Sequence, residues 1–286
     1  MAVHHVLGIS GGKDSAALAI YMATNHPEIP IEYFFTDTGK ELPEVYDFFG
    51  KLEGLLGKPI TKLDEILPNY CRDFDYWLRA FHNFLPSPQT RWCTRVMKLE
   101  PFKNWIKPWL EAGDEVYSYV AIRADEEHRT GMHEFHPNLH VVMPFRETGI
   151  DKAGVIEILE SSGIGLPEYY QWRSRSGCTF CFFQQKIEWV HLLERHPDKF
   201  MEALSYEKTA LNSGSPFTWS EGEPLSELMK PDRVAQIKAD FEKRKERAKK
   251  RIPINPLREG LESEYCDIDD LYNLDEGNGA CSICTK

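Results

Sequence analysis

The chain has 286 residues, of which 42% are hydrophobic and 28% are charged, a composition typical of a soluble globular protein. Its 34 basic and 45 acidic residues give a formal net charge of −11, which argues against a protein that coats nucleic acid. No apolar run approaches the roughly 20 residues needed to span a bilayer, and the first residues lack the pattern of a signal peptide. We therefore expect a cytoplasmic protein with no membrane partner.

Cysteine spacing gives a second constraint. The chain has seven cysteines, and a disulfide framework is not expected in a cytosolic chain of this length. Four of them form two C-x2-C pairs and three are single, namely Cys178 with Cys181, Cys281 with Cys284, and the isolated Cys71, Cys93 and Cys266. This spacing favours metal binding or redox chemistry.

The first functional pattern along the chain is a glycine-containing loop. Residues 5–9 predict a buried strand and residues 16–22 predict a helix. The connection between them reads Ser10, Gly11, Gly12, Lys13, Asp14, Ser15. Two glycines let backbone N–H groups converge on an oxyanion, and the helix N-terminus and Lys13 add positive charge. The pattern indicates a phosphate-binding loop distinct from the Walker motif; a plain corner capped by Asp14 or Ser15 is the alternative.

The next segments alternate between strand and helix. Residues 31–36 predict a second strand, residues 44–56 a helix and residues 59–63 a short third strand. This alternation predicts parallel strands with right-handed crossovers. Ligands bind beyond the carboxyl ends of such strands, where the glycine loop and Asp37-Thr38-Gly39 both lie. Asp37 could therefore bind a ribose or a metal ion, or could be a turn residue before glycine.

An aromatic segment and a basic segment follow. Residues 69–91 are rich in aromatic side chains and either cover the site or pack into the core; we favour packing. Cys93 then stands among Arg91, Arg95 and Lys98, before a helix predicted near residues 102–110. Three cations beside a cysteine suit a polyanionic ligand or an anionic cluster, although a solvated helix start would carry the same charges.

The remaining elements complete an α/β pattern with a helical extension. Strands are predicted at 116–122 and 139–144, and helices at 151–162, 186–195, 198–211 and 232–250. Arg123 and Arg129 follow the first of these strands. The basic run at 243–251 is interpreted as a solvated helix end or as a nucleic-acid contact. We divide the chain into a nucleotide-binding α/β domain (1–185), a helical extension (186–251) and an acidic tail with a C-x2-C pair (252–286).

Five segments in order resemble the phosphoadenosine phosphosulfate (PAPS) reductase superfamily of PP-loop adenine-nucleotide α-hydrolases. The nearest branch resembles the sulfur-insertion subunit of DNA phosphorothioation systems. The segments are the loop at 10–15, Asp37-Thr38-Gly39 with Leu42-Pro43-Glu44, Cys93-Thr94-Arg95 with Pro101, Arg123 with Arg129, and Gly177-Cys178-Thr179-Phe180-Cys181. Lys13 and Asp14, which assimilatory reductases have usually lost, are both present, and this resembles the ATP-using branch.

The resemblance implies a Rossmann-like parallel sheet flanked by helices and an ATP pyrophosphatase that adenylylates an acceptor in a sulfur-transfer pathway. It implies ATP and Mg²⁺ as cofactors and a sulfur donor such as a cysteine desulfurase. The acceptor could be a nucleic acid (DNA or tRNA) or a small molecule. Lys13, Ser10 and Asp14 would be catalytic. The implied nucleotide-binding residues are Ser10, Gly11, Gly12, Lys13, Asp14, Ser15, Asp37, Thr38, Gly39, Arg95, Lys98, Arg123 and Arg129. A thiol-dependent PAPS reductase and a non-catalytic nucleotide-sensing subunit are the alternatives.

The resemblance also implies an iron–sulfur cluster, of the 4Fe-4S type, held by Cys93, Cys178 and Cys181. Trp92 stands where the cluster-binding reductases have a further cysteine, so a tail cysteine is needed, and we favour Cys284. Structural zinc held by the two C-x2-C pairs is the alternative, as are free thiols. Cys71 and Cys266 lack a partner at ligand spacing and are expected to be ordinary buried residues.

Overall fold

A computed structural model of the chain describes residues 1–67, 69, 71–129, 135–214, 217–220 and 222–249. Cys266, Cys281, Cys284 and the predicted acidic tail lie outside these residues, as do the last two residues of the basic run.

The described residues form a five-stranded parallel sheet. Its strands are β1 (Val3–Gly8), β2 (Ile31–Phe35), β3 (Ile60–Lys62), β4 (Glu115–Tyr119) and β5 (Leu139–Val142), in the spatial order β3-β2-β1-β4-β5. In the central strand, Leu7 pairs with Tyr33 on one side and with Tyr119 on the other. The prediction of a parallel sheet is confirmed. From β1 the chain proceeds outward to β2 and β3 on one side of the sheet, and it then returns to form β4 and β5 on the other side of β1. The strand order therefore reverses between β1 and β4.

Helices cover both faces of this sheet, as alternating side chains require. On one face, Leu7 and Tyr33 are buried in a large core that includes helices α1 (Lys13–Asn25) and α2 (Pro43–Leu56). On the other face, Val6 packs with Phe102 and Ile106 in a smaller cluster. The other helices of the α/β part are α3 (Leu63–Ile66), α4 (Phe74–Ala80), α5 (Trp92–Thr94), α6 (Glu100–Glu111), α7 (Pro144–Thr148) and α8 (Lys152–Ser161).

The helical stretch around α6 begins earlier than the sequence predicts. We expected a helix from about residue 102, whereas α5, a π-helical segment (Arg95–Leu99) and α6 follow one another without interruption. Pro101 lies directly after the π-helical segment, at the start of α6, and does not interrupt this stretch. The predicted fifth strand is also too long, since Pro144 begins α7 instead.

The C-terminal helices continue the same core. They are α9 (Lys186–Arg195), α10 (Pro197–Asn212), α11 (Leu225–Leu228) and α12 (Pro231–Lys249). The Phe74 ring lies 4.7 Å from Phe180 and 5.3 Å from Tyr206 of α10, and Phe180 lies 5.2 Å from Trp219. The interpretation of the aromatic segment as packing therefore holds for Phe74, whereas Tyr76 and Phe84 of the same segment are exposed. The division of the chain at residues 185 and 251 stays a prediction.

Within the described part of the chain, no helix is both long enough and apolar enough to cross a bilayer.

Candidate functional site

The glycine loop is closed by its own hydroxyl groups. The Ser10 N–H donates to Ser15 Oγ at 3.1 Å, the Gly12 N–H donates to Ser10 Oγ at 3.3 Å, and Ser15 Oγ donates to the Gly12 carbonyl at 3.1 Å. Gly11 has a φ of +76°, and a Cβ at this position would lie 2.7 Å from a methyl group of Val45. Glycine is therefore required here both by the backbone conformation and by the close approach of α2.

Lys13 is the first residue of α1, and its side chain is buried. Only 5% of its surface is exposed, although lysine is almost never buried without a polar partner. Its amine lies 3.4 Å from Asp14 Oδ2 and 5.3 Å from the centre of the Tyr170 ring. A cation held at a helix N-terminus, where backbone N–H groups point outward, is an arrangement suited to an anionic ligand.

An ion pair joins the loops that follow β1 and β4. Arg123 Nη1 lies 3.1 Å from Asp14 Oδ1. Burial raises the pKa of Asp14, but the charges of Lys13 and Arg123 outweigh burial, so that the net pKa lies below its usual value. Asp14 is therefore ionised at neutral pH. The pair lies where the strand order reverses, which is where ligands bind in open parallel sheets.

Arg129, the second arginine of this motif, contacts a different group. It forms an ion pair with Glu126, whose carboxylate also lies 3.7 Å from Arg123 Nη2. Arg146 donates to the Glu126 carbonyl at 2.7 Å and contacts the Arg129 carbonyl. Arg123 is thus brought to the glycine loop, and Arg129 is linked to Arg123 through Glu126.

Two adjacent tyrosines contact the glycine loop, and sequence analysis missed both. The Tyr169 hydroxyl donates to the Gly11 carbonyl, and the Tyr170 hydroxyl accepts a hydrogen bond from the Lys13 N–H at 3.1 Å. They lie on a 3-10 turn (Glu168–Gln171) more than 150 residues away in sequence. No local spacing connects them to the loop, so only the folded chain reveals the contact.

The loop after β2 is fixed by Asp37. Its Oδ1 accepts hydrogen bonds from the Gly39 N–H at 2.7 Å and from the Tyr46 hydroxyl at 2.9 Å. The first of these bonds is an Asx turn, so Asp37 does have the turn role that we considered. Burial and the Asp37 carboxylate both raise the pKa of Tyr46, which stays a neutral donor. A ligand role for Asp37 stays a prediction.

Thr38 connects this loop to the first C-x2-C pair. Its hydroxyl donates to Glu41 Oε1 at 3.1 Å and lies 3.3 Å from Cys178 Sγ. Burial raises the pKa of Glu41, and Lys98 opposes that shift. Burial also raises the pKa of the Cys178 thiol well above its usual value, and the nearby Glu41 raises it further. Cys178 is consequently a neutral thiol in this environment.

Arg173 holds the backbone of the same cysteine pair. It is almost fully buried and donates to the carbonyls of Gly177 at 3.0 Å and Cys178 at 2.6 Å. The Thr179 N–H donates to the Lys40 carbonyl at 2.7 Å, which fixes the cysteine turn against the loop after β2. Neither Arg173 nor Glu41 was among the predicted site residues, because a single buried arginine or glutamate has no sequence signature.

The basic segment around Cys93 is divided between two elements: Cys93 lies on α5, and Arg95 and Lys98 lie on the π-helical segment. Arg95 is exposed, whereas Lys98 is partly buried and acts electrostatically on both Glu41 and Cys178. Trp92, which stands in place of a cysteine, is buried, and its ring lies 5.0 Å from that of Phe81. π-Helical turns occur frequently at functional sites, and here the turn directs Lys98 toward the predicted site.

The predicted metal ligands are only partly placed. Cys93, Cys178 and Cys181 are partly buried and are not joined in disulfide bonds. Across the described residues, no three His, Cys, Asp or Glu side chains come together as a group that could hold a metal ion. These three cysteines therefore do not form a ligand set by themselves, and Cys284 lies outside the described residues. The iron–sulfur cluster stays a prediction, and so does the zinc alternative.

Sequence comparisons give two relatives, both uncharacterized proteins from one organism. The uncharacterized protein MJ0973 of Methanocaldococcus jannaschii is 24% identical over 233 residues, which cover 77% of this chain and 53% of that protein. The uncharacterized protein MJ0066 of the same organism is 30% identical over 137 residues, which cover 48% of this chain and 26% of that protein. The chain thus spans about half of one relative and about a quarter of the other.

Structural comparisons give neighbours at low sequence identity. PAPS reductase from Candida auris, in a phosphate complex, has a TM-score of 0.44 at 14% identity and aligns over 62% of this chain and 81% of its own. NMN synthetase from Francisella tularensis has a TM-score of 0.39 at 13% identity and aligns over 89% and 90%.

A family model matches the part of the chain that contains the glycine loop, Asp37 and Arg123. The match covers residues 4–136, and the model is that of the phosphoadenosine phosphosulfate reductase domain. The matched range includes β1 to β4 and the loops that follow β1, β2 and β4. Residues 4–136 are therefore similar to the phosphoadenosine phosphosulfate reductase domain.

Proposed function

We propose that this protein is an ATP pyrophosphatase that activates an acceptor by adenylylation for sulfur transfer. The observation that carries the proposal is the buried Lys13 amine at the N-terminus of α1, beside the ion pair of Asp14 with Arg123. A PP-loop that uses ATP needs a cation for the leaving pyrophosphate, and Lys13 supplies it at the edge of the sheet where ligands bind.

The chemistry follows from the charges in the loop. An acceptor oxygen attacks the α-phosphorus of ATP and forms a new P–O bond, while the bond to the bridging oxygen breaks and its electron pair leaves with pyrophosphate. The Lys13 amine would stabilise the charge on the leaving group, and the N–H groups of residues 10–12 would contribute once Ser10 and Gly12 exchange their hydrogen bonds to the loop hydroxyls for bonds to phosphate. A sulfur nucleophile then displaces the adenylylated oxygen, and AMP leaves.

Other residues have supporting roles in this proposal. Asp37 and Asp14 are the carboxylates available for Mg²⁺, which would offset phosphate charge. Arg95, Lys98, Arg123 and Arg129 would hold phosphates or the acceptor. A cluster held by Cys93, Cys178, Cys181 and Cys284 would supply sulfur or electron chemistry when bound, and no step above depends on it. A cysteine desulfurase as donor and a nucleic acid as acceptor belong to the same proposal.

Pyrophosphate release from ATP, with candidate acceptors present, tests this function. Lys13→Ala should reduce release by about 10- to 150-fold, which corresponds to the loss of a charge-assisted contact of about 1.5–3 kcal/mol. Lys51→Ala, at an exposed position on α2, is the matched control and should retain activity. Equal turnover in the Lys13 variant and the wild type would refute the assignment. Binding of ATP without release would favour a nucleotide-sensing subunit.

A thiol-dependent PAPS reductase is the second candidate. The family match over residues 4–136 favours it, and its reactive cysteine would have to come from the tail, because the raised pKa of the Cys178 thiol makes that group a poor nucleophile. This enzyme would release sulfite from PAPS with a thiol reductant and would not consume ATP. Sulfite release without ATP turnover would select it over the pyrophosphatase.

A further inference from the structure

The Tyr170 side chain lies on the two groups of the glycine loop that are best suited to bind phosphate. Its hydroxyl accepts the hydrogen bond of the Lys13 N–H at 3.1 Å, and the Lys13 amine lies 5.3 Å from the centre of its ring. The first N–H group of α1 and the loop cation are thus both in contact with one aromatic residue. A phosphate oxygen at the Lys13 N–H would need the position that the Tyr170 hydroxyl holds.

The space beside the loop is already narrow. A Cβ on Gly12 would lie 2.9 Å from Ser176 Oγ and 3.5 Å from Tyr170 Oη. The hydroxyl groups of Ser176 and Tyr170 therefore lie against the face of the loop that Gly12 keeps open. Tyr170 and a phosphate group do not fit on the Lys13 N–H together, because their oxygens would overlap.

The backbone around Tyr170 is anchored, so the part able to move is its side chain. Tyr169, Trp172 and Arg173 are buried on either side of it. Tyr169 donates to the Gly11 carbonyl, and Arg173 donates to the carbonyls of Gly177 and Cys178. The Tyr170 side chain is itself partly exposed. Rotation of one such side chain is fast compared with typical turnover.

The geometry points to Tyr170 as a gate over the phosphate loop: its hydroxyl competes with the phosphates of an incoming nucleotide for the Lys13 N–H and is displaced on binding. This inference rests on the proposed function, because it takes a nucleoside triphosphate or free pyrophosphate as the ligand of the loop. Only molecules in which Tyr170 is displaced can bind the phosphates. The apparent affinity for the nucleotide is therefore the affinity of the open loop multiplied by the fraction of molecules in which the loop is open.

The test compares binding of magnesium pyrophosphate and magnesium ATP to the full chain by calorimetry. Tyr170→Phe keeps the ring beside Lys13 and removes only the competing hydroxyl, so both ligands should bind about three- to tenfold more tightly. Tyr169→Phe is the matched control. Its hydroxyl bonds to a carbonyl, which a phosphate cannot use, so this variant should not bind more tightly. Thermal melting of each variant verifies that it is folded.

The outcomes separate the gate from the proposed function. If the wild type binds both ligands and Tyr170→Phe binds them equally or more weakly, the gate is wrong and the nucleotide site stands. If neither protein binds ATP or pyrophosphate, the gate and the proposed function both fail. Tighter binding by both tyrosine variants would indicate general loosening of the loop and would also overturn the gate.

Discussion

Arg123 and Asp14, 109 residues apart in sequence, form an ion pair of 3.1 Å that bridges the loops after β4 and β1. The Arg123 side chain is largely buried, and it also contacts Asp125 Oδ1 at 2.9 Å. Because β1 and β4 are neighbours where the strand order reverses, this pair fixes the two walls of the predicted nucleotide crevice against each other.

Removing Arg123 should therefore destabilise the fold through Asp14. In Arg123→Met the partly buried Asp14 carboxylate keeps Lys13 as a partner but loses the guanidinium, and we expect a loss of about 1–3 kcal/mol in the free energy of unfolding. Adding Asp14→Asn removes the stranded charge and should recover part of this loss. Urea unfolding of both single variants and the double variant measures the coupling. Strictly additive effects would show that the pair contributes nothing to stability.

Asp37 can be tested for its two roles separately. Asp37→Asn retains the Oδ1 acceptor that receives the Gly39 N–H, so the turn should persist, but it removes the negative charge. Asp37→Ala removes both. If Asp37 binds Mg²⁺ or ribose, both variants should weaken magnesium-dependent ATP binding by about tenfold, a loss of about 1.4 kcal/mol.

Titration of ATP binding against magnesium distinguishes these cases. If Asp37→Asn binds ATP like the wild type and only Asp37→Ala is impaired, Asp37 acts only as a turn residue. Tyr46→Phe is a useful control, because it removes the other donor to Asp37 Oδ1 and leaves the carboxylate in place.

The sheet and the loops at its carboxyl edge could be predicted from sequence, because each depends on local patterns. Apolar runs separated by helices predicted the strands, and the glycine pair before Lys13 marked the loop after β1. The π-helical segment was not predictable, since one extra residue in a turn leaves no periodic signature over five residues. The helix predicted from about residue 102 therefore lies within a helical stretch that begins at Trp92.

The site residues that sequence analysis did not predict were missed for a different reason. Tyr170, Arg173 and Glu41 reach the site through tertiary contacts with residues far away in sequence or through burial alone. Composition and spacing carry no information about such contacts. The motif likewise gave no sign that Arg129 pairs with Glu126, and a role for Arg129 at the nucleotide stays a prediction.

Glu223 should make stability pH-dependent in the helical extension. It accepts from Arg233 Nη2 at 2.9 Å and from Lys186 Nζ at 2.8 Å, and the hydrogen bonds from Arg233 are the main reason that its pKa falls from 4.5 to about 2. A lowered carboxyl pKa stabilises the fold above pH 4.5, and this contribution is lost as pH falls from 4.5 toward 2.

Glu223→Gln should therefore lose about 1 kcal/mol at pH 7, a small value because the groups remain in contact with solvent, and the difference from the wild type should shrink at pH 3. Urea unfolding at the two pH values measures it. Glu227→Gln, in an exposed ion pair with Lys230, is the matched control and should change little at either pH. A Glu223 deficit that is the same at both values would contradict the prediction.

The last prediction concerns the metal site, which the described residues leave incomplete. Protein purified without oxygen should contain iron and inorganic sulfide, with Cys93, Cys178 and Cys181 as three ligands and Cys284 as the fourth. Trp92 is buried against Phe81, so that position offers no thiolate, and the ligand must come from another segment. Burial and Glu41 keep the Cys178 thiol neutral and Lys98 only opposes that effect, so ligation by a cluster would have to displace the Cys178 proton.

Alanine at Cys284 should lower the iron content, whereas alanine at Cys71 should not. Cys71 is a suitable control because burial raises the pKa of its thiol to about 11 and its Sγ donates to the Leu63 carbonyl at 3.6 Å, so it is a neutral, locally bonded group. Metal and sulfide analysis of the wild type and both variants gives the answer. One zinc per chain without sulfide would favour the two C-x2-C pairs as ligands, and Cys93 would then be a candidate reactive thiol. If iron is retained in Cys284→Ala but lost in Cys281→Ala, the cluster prediction stands and its fourth ligand is Cys281 instead of Cys284.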